Sequence, residues 1–295
     1  MSTASADLIA VALRELLAGQ LDHWTRVSLR GTRRATFVYC GEDEVAIERA
    51  LTVFDHYGDL LRGRHLTTIL LGRDATARAA RHARRSFAVY GVPGDVESVP
   101  VATKAAMAAG APILAYVDAR GAALPSEKAL HAARNGRPGE MLLVWARREP
   151  AERARPALDA AGFRLVTEIE LATDGQAAQI AFGTSSGKSL TAFKDAVWAA
   201  AAAAGVRLRD PQDPDAPLLD PTPQPQPAAL REALLARLAA AGPATVAELR
   251  QYAATDTIYR PTDATEVLAA LVEAGVVIRE PAEGRLGGDV LIRPA

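Results

Sequence analysis

The sequence predicts an α/β protein: a mostly parallel sheet that ends in an antiparallel hairpin, followed by a small winged-helix domain. Three observations predict it. Short apolar runs alternate with helical patterns as far as residue 209. Asp174-Gly175 stands between two strand-like runs, and Asp-Gly suits a tight hairpin turn. A proline-dense stretch, DPQDPDAPLLDPTPQPQP at 210–227, then sets off a segment of different pattern. Proline fixes φ and removes a backbone donor, so neither helix nor central strand persists there.

Taken in order, residues 6–17 read as an amphipathic helix. Apolar runs at 36–40, 67–71, 87–92, 113–118 and 141–146 have the length and character of buried parallel strands. Helical patterns at 44–61, 75–85, 101–109, 126–133 and 151–161 separate or follow them. Repeated strand–helix units of this kind dictate a parallel sheet covered on both faces. Two further strands, 164–171 and 178–184, flank the Asp-Gly turn, and a helix at 189–204 leads to the linker.

Five strand–helix units closed by an antiparallel hairpin resemble the class I methyltransferases, a Rossmann-like fold, more than a plain dinucleotide-binding domain. The expected division is an N-terminal helical segment (1–30), the α/β domain (31–209), a linker (210–227) and a winged-helix domain (228–295).

In that last domain, 228–240 and 246–253 read as helices. A third covers 262–274, with Thr262 or Asp263 as N-cap and Gly275 just past its end. Strands at 276–280 and 289–293 complete a hairpin. From 230 to 295 there are seven arginines, no lysine and nine acidic side chains, a balance of −2. The third helix carries Asp263, Glu266 and Glu273 and no base. A major-groove reader neutralises phosphates with Lys or Arg, so this domain reads as a packing or partner-binding module.

Composition excludes several classes. Of the 295 residues, 49% are hydrophobic and 23% charged, ordinary globular usage that builds a core without staples. The net charge of −1 gives no global field favouring nucleic acid. The single cysteine, Cys40, rules out an internal disulfide and cysteine-based metal centres, and the five histidines show no metal-ligand spacing. No basic-then-apolar leader and no long apolar run is present, so a cytoplasmic protein with no membrane contact is expected.

In a nucleotide-binding α/β sheet the ligand lies beyond the carboxyl ends of the strands. Here those ends carry Gly41 after the first strand, Asp74 after the second, Asp95 after the third and Asp118 on the fourth. Asp74 and Asp95 are placed to accept from ribose hydroxyls and an adenine amino group, and Asp118 to face a reacting centre. Each aspartate has an equally plain alternative as a helix cap. The first loop has one glycine followed by Glu42, Asp43 and Glu44. Three carboxylates complement a helix N-terminus but repel an anionic ligand. Ser185-Ser186-Gly187-Lys188-Ser189 lacks the spacing of a phosphate loop and reads as a capping turn. Arg78, Arg81 and Arg85 share a helix face, with Arg26, Arg30, Arg33 and Arg34 elsewhere. They read as solvated arginines, with a nucleic-acid patch as the alternative.

Two segments carry a family resemblance. Residues 113–145, ILAYVDARGAALPSEKALHAARNGRPGEMLLVW, resemble the strand end and following helix of the three-Cys-motif partner proteins. Residues 179–198, QIAFGTSSGKSLTAFKDAVW, resemble that family's signature near the end of its α/β domain, with Lys194, Asp195 and Trp198 matching it directly. The resemblance implies a class I methyltransferase fold, a C-terminal winged helix, S-adenosylmethionine as cofactor and a partner protein holding three cysteines. The family's glycine-rich first loop is reduced here to Tyr39-Cys40-Gly41-Glu42-Asp43, and its Asp-Pro-Phe-Gly element to Asp118-Ala119-Arg120-Gly121. Three functional readings follow: a non-catalytic or weakly active scaffold working with a protein partner, an S-adenosylmethionine-dependent methyltransferase acting on nucleic acid, and a nucleic-acid-binding regulator using the winged helix.

Overall fold

A computed structural model describes residues 7–146, 153–213, 216–221 and 228–295. The chain opens with α1 (Leu8–Gly31), whose N-terminus is capped by Asp7. This helix runs well past residue 17, the expected end. Its buried stripe continues through Leu21, Trp24 and Leu29 at helical spacing, so the same face stays covered. Then come β1 (Arg34–Cys40), α2 (Glu44–Asp55), α3 (Gly58–Leu61), β2 (His65–Leu71), α4 (Ala75–Ala80) and β3 (Ala88–Val92). The single helix expected at 44–61 is two, because the chain turns at His56-Tyr57 before Gly58. A 3-10 turn (Val96–Ser98) leads into α5 (Val99–Ala105). β4 (Ile113–Asp118), α6 (Glu127–Arg134), β5 (Gly139–Trp145) and α7 (Arg155–Ala160) follow. The start of the helix expected at 151–161 lies outside the described residues. β6 (Leu165–Ala172) and β7 (Ala177–Thr184) form the hairpin, and α8 (Gly187–Ala204) and the short β8 (Arg207–Arg209) end this unit.

The strands form one sheet in the order β3-β2-β1-β4-β5-β7-β6-β8. β1 to β5 are parallel, and β7 is inserted antiparallel between β5 and β6. A parallel sheet that reverses order at β1/β4 and carries one reversed strand beside β5 is the class I methyltransferase-like fold. Alternate residues of each strand face opposite layers. Phe37, Leu114 and Phe182 face α1, α2, α4 and α8, where Phe54 meets Phe37 edge-on and Phe193 stacks on Phe182 at 4.6 Å. Val38, Val117 and Leu143 face α5, α6 and α7. Gly91 is required by this packing: a Cβ there would lie 2.1 Å from the Ala75 carbonyl oxygen at the start of α4.

The C-terminal unit comprises α9 (Ala228–Ala241), β9 (Ala244–Thr245), α10 (Val246–Asp256), α11 (Pro261–Glu273), β10 (Val277–Glu280) and β11 (Leu291–Pro294). Its three strands pair antiparallel in the order β10-β11-β9. A capping box between Thr245 and Glu248 starts α10. The cap of α11 is Arg260, not Thr262 or Asp263. Pro261 takes the first helical position, and Asp263 reaches back to accept from the Arg260 N–H at 2.9 Å. Leu230, Leu234, Leu238, Leu249, Leu268 and Ile292 fill its core, which is continuous with the α1/α8 layer of the larger unit. Within the expected linker, Leu219 exchanges two backbone hydrogen bonds with Leu208 of β8, while residues 214–215 and 222–227 lie outside the described residues. Among the described residues no helix is long and apolar enough to cross a membrane.

Candidate functional site

A cleft of about 920 Å³ opens at the carboxyl ends of β1, β2, β3 and β4. It lies beside the β1/β4 switch point, the position the fold reserves for ligands. Gly41, Asp95 and Asp118 line it, together with Cys40, Glu42, Gly72, Arg73 and Arg120. Asp74 is exposed at the N-terminus of α4 and is not part of the lining. From the end of β2 the cleft is lined instead by Leu71, Gly72 and Arg73.

The β1–α2 loop is held shut by its own side chains. Asp43 caps α2, accepting from the N–H groups of Val45 at 3.0 Å and Ala46 at 3.1 Å. Its other carboxylate oxygen takes the Arg14 Nε–H at 2.7 Å. Burial alone would raise the Asp43 pKa, but the Arg14 and backbone hydrogen bonds outweigh it and hold the carboxyl below its ordinary value. Tyr39, stacked on Tyr116 at 5.2 Å, props the loop from below and donates its hydroxyl to the Asp43 carbonyl at 3.1 Å. Arg78 of α4 is buried under the same loop, where its Nη2 donates to the Gly41 carbonyl at 2.8 Å. Its Nε lies 2.7 Å from Glu44 Oε1, an ion pair by distance, although Nε and Nη1 make no hydrogen bond of good angle.

The two cleft aspartates are also engaged. Asp95 caps the 3-10 turn by accepting from the Glu97 N–H at 2.9 Å. Asp118 receives Arg120 in a fork, Nε at 3.0 Å and Nη2 at 2.7 Å, and also accepts the Arg120 backbone N–H at 3.1 Å. That hydrogen-bonded pairing outweighs desolvation and raises the Arg120 pKa. Burial, then the charges of Asp95, Glu42 and Asp118, push the Cys40 thiol up to about 12. At neutral pH it is a protonated, poor nucleophile.

Lys194, Asp195 and Trp198 are nowhere near this cleft. They sit on α8 against the C-terminal unit. The fully buried Lys194 ammonium donates to the Thr257 carbonyl, and the Trp198 indole N–H donates to the Ile258 carbonyl at 3.0 Å. Arg260 stacks over the Trp198 ring at 4.8 Å. Burial raises the Asp195 pKa, and the nearby Arg260 charge offsets that only in part. Arg155, at the start of α7, donates to the Thr255 carbonyl and adds a second tether. The solvated face expected for Arg78, Arg81 and Arg85 does not form as one face: α4 ends at Ala80, Arg78 is buried under the first loop, and Arg85 pairs with Glu48 and Asp55. Arg78 shares the inward side of that short helix with Ala75 and Ala79, a pattern that pointed to burial. The pairing role of Arg120 was missed, although it stands two residues beyond Asp118, close enough to fold back on it. Ser186 caps α8 through the Ser189 N–H at 3.2 Å, as a turn rather than a phosphate loop.

No known family profile matches the chain, and no curated protein matches it. Among solved structures it overlaps EvdMO1 with a TM-score of 0.37 and 16% identity, over 56% of this chain and 40% of that one. It overlaps the fibrillarin pre-rRNA processing protein of Methanococcus jannaschii with a TM-score of 0.34 and 13% identity, over 52% of this chain and 67% of that one. The chain thus spans less than half of EvdMO1. Both overlaps are loose, and the fold assignment rests on strand order and direction.

Proposed function

We propose that this chain is a methyltransferase-fold protein that serves as a non-catalytic or weakly active scaffold working with a protein partner. The Asp43 cap carries this reading. A helix N-terminus binds an anionic ligand through free N–H groups. Here the Val45 and Ala46 N–H groups are taken by Asp43, and Glu42 adds a further negative charge at the mouth of the loop. S-adenosylmethionine carries a carboxylate, which would meet carboxylates at this loop. The residues present do not fit its amino-acid tail. By the resemblance of residues 179–198, the partner is a protein with three cysteines, and the C-terminal unit is a winged helix used for packing.

Calorimetry with S-adenosylmethionine and S-adenosylhomocysteine tests the first half. No binding is expected at about millimolar ligand. Binding tighter than about 10 μM would reject the scaffold and favour the methyltransferase reading, with nucleic acid as substrate and Asp118 at the reacting end. The position and size of the cleft support that second reading. Size-exclusion chromatography with a purified three-cysteine protein tests the second half. Co-elution is expected, and separate elution rejects the partner.

A further inference from the structure

The two edges of the sheet differ in charge. Its carboxyl edge mixes Glu42, Asp95 and Asp118 with Arg73 and Arg120. Its amino edge is cationic, as the strand register shows. Arg34 of β1 lies beside His65 of β2, Thr36 beside Ile113 of β4, Ile113 beside Gly139 of β5, and Leu165 of β6 beside Thr184 of β7. The residues at or just before those ends include Arg33, Arg34, Arg64, Arg137 and Arg164, and Lys188 follows β7. All are exposed except the half-buried Arg64, whose Nη1 donates to the Leu60 carbonyl at 3.0 Å. Arg33 and Arg64 also line, with Arg30, a hollow of about 610 Å³ that contains no acidic residue.

Elsewhere on the α/β unit many arginines are paired: Arg14 with Asp43, Arg49 with Glu15, Arg85 with Glu48 and Asp55, Arg153 with Glu168. Along this edge, among the described residues, none of the six cations has a carboxylate within ion-pair distance. Helix dipoles explain part of the charge, since Arg30 occupies the last turn of α1. They do not explain Lys188, which sits in the first turn of α8, where the dipole disfavours a cation. Nor do they explain arginines on loops and strand starts. Six uncompensated cations in a row repel one another, and a polyanion relieves that.

We propose that this amino edge binds the phosphate backbone of a double-stranded nucleic acid. From β2 to β6 the row spans five strand spacings, roughly 24 Å. That covers roughly seven base pairs along the axis of a duplex. Guanidinium forks suit phosphate oxygens. Aromatic residues make up 5% of the chain, too few for the stacking platform that a single strand uses. Val27 and Met107 are the large exposed apolar side chains near this edge, and two do not make the apolar face that a lipid surface needs. The recognition is independent of base sequence, because only phosphates are addressed.

The test is fluorescence anisotropy of the full chain with labelled duplex DNA and duplex RNA of about 20 base pairs, across about 50 to 300 mM salt. Binding that weakens linearly with salt on logarithmic axes is expected. The variant combining Arg33→Gln, Arg34→Gln and Arg137→Gln changes exposed side chains only. It should bind at least about tenfold more weakly, with a slope shallower by about three. Arg285→Gln, in the loop between β10 and β11, should leave both unchanged. The proposal fails if neither duplex binds at the lowest salt. It fails if the triple variant binds like the parent, or if Arg285→Gln causes the loss. It also fails if phosphatidylserine vesicles are bound in flotation while duplexes are not.

Discussion

The Trp198 indole N–H donates to the Ile258 carbonyl oxygen at 3.0 Å, joining two residues 60 positions apart. Both groups are buried, and the ring also lies under Arg260 and beside Tyr259 at 6.2 Å. This contact seats the C-terminal unit on α8. Trp198→Phe keeps most of the ring but leaves the Ile258 carbonyl unpaired, at a cost of about 1–3 kcal/mol. Trp198→Ala adds a cavity and should cost about 3–5 kcal/mol. Urea denaturation of the full chain should show this order, and limited proteolysis should release the C-terminal unit more readily in the alanine variant. Equal stability of all three proteins would show that the contact contributes nothing.

Lys194 and Glu140 are buried titratable groups with opposite pH signatures. Burial lowers the Lys194 pKa from 10.5 to about 7. The unfolded chain then binds the proton more tightly, so this lysine makes folding stability rise between about pH 7 and 10.5. Burial raises the Glu140 pKa from 4.5 to about 7, against hydrogen bonds from Ser189, Thr184 and Gln20. Its contribution is present below 4.5 and is lost as pH rises through about 7. The two effects together put a shallow minimum of stability near neutrality. Glu140→Gln should remove the acid-side fall and Lys194→Met the alkaline-side rise, each read from melting temperature against pH. A variant whose profile stays superimposable on the parent's would contradict the assignment for that residue.

Cys40 lines the cleft with its thiol pushed up to about 12. At pH 8 a disulfide reagent should modify the folded protein at least about tenfold more slowly than the urea-unfolded chain, because only the thiolate reacts. Arg78→Met should speed that reaction. It removes a cation that favours the thiolate, which alone would slow labelling, but it also frees the β1–α2 loop from its bond to the Gly41 carbonyl. Slower labelling of the variant would show that charge outweighs loop opening.

Gly91→Ala places a methyl group 2.1 Å from the Ala75 carbonyl oxygen. Backbone on both sides leaves little room to relax, so a loss of about 3 kcal/mol or more is expected. The melting temperature should fall by several degrees. Gly175→Ala, in the hairpin turn with nothing near its Cβ, serves as the control and should be close to neutral.

What the sequence determined was whatever depends on local pattern. The period of the apolar residues set the five parallel strands and their helices. Asp174-Gly175 set the hairpin, closed here by the Thr173 N–H to the Gln176 carbonyl at 2.8 Å. The absence of a second glycine after Gly41 marked the first loop as unusual, and the structure supplies the reason in the Asp43 cap. What only the tertiary structure decided depends on groups far apart in the chain. Asp74, Asp95 and Asp118 look alike in sequence, yet one is exposed outside the cleft, one caps a turn inside it and one is held by Arg120. Lys194, Asp195 and Trp198 stood out as a motif, but their partners lie some sixty residues on, at Thr257, Ile258 and Arg260. The row of unpaired cations exists only once the register of six strands brings their ends to one edge. Chain pattern fixes which face of an element is buried. Which charges then meet is set by long-range packing, and the function proposed for this protein rests on those meetings.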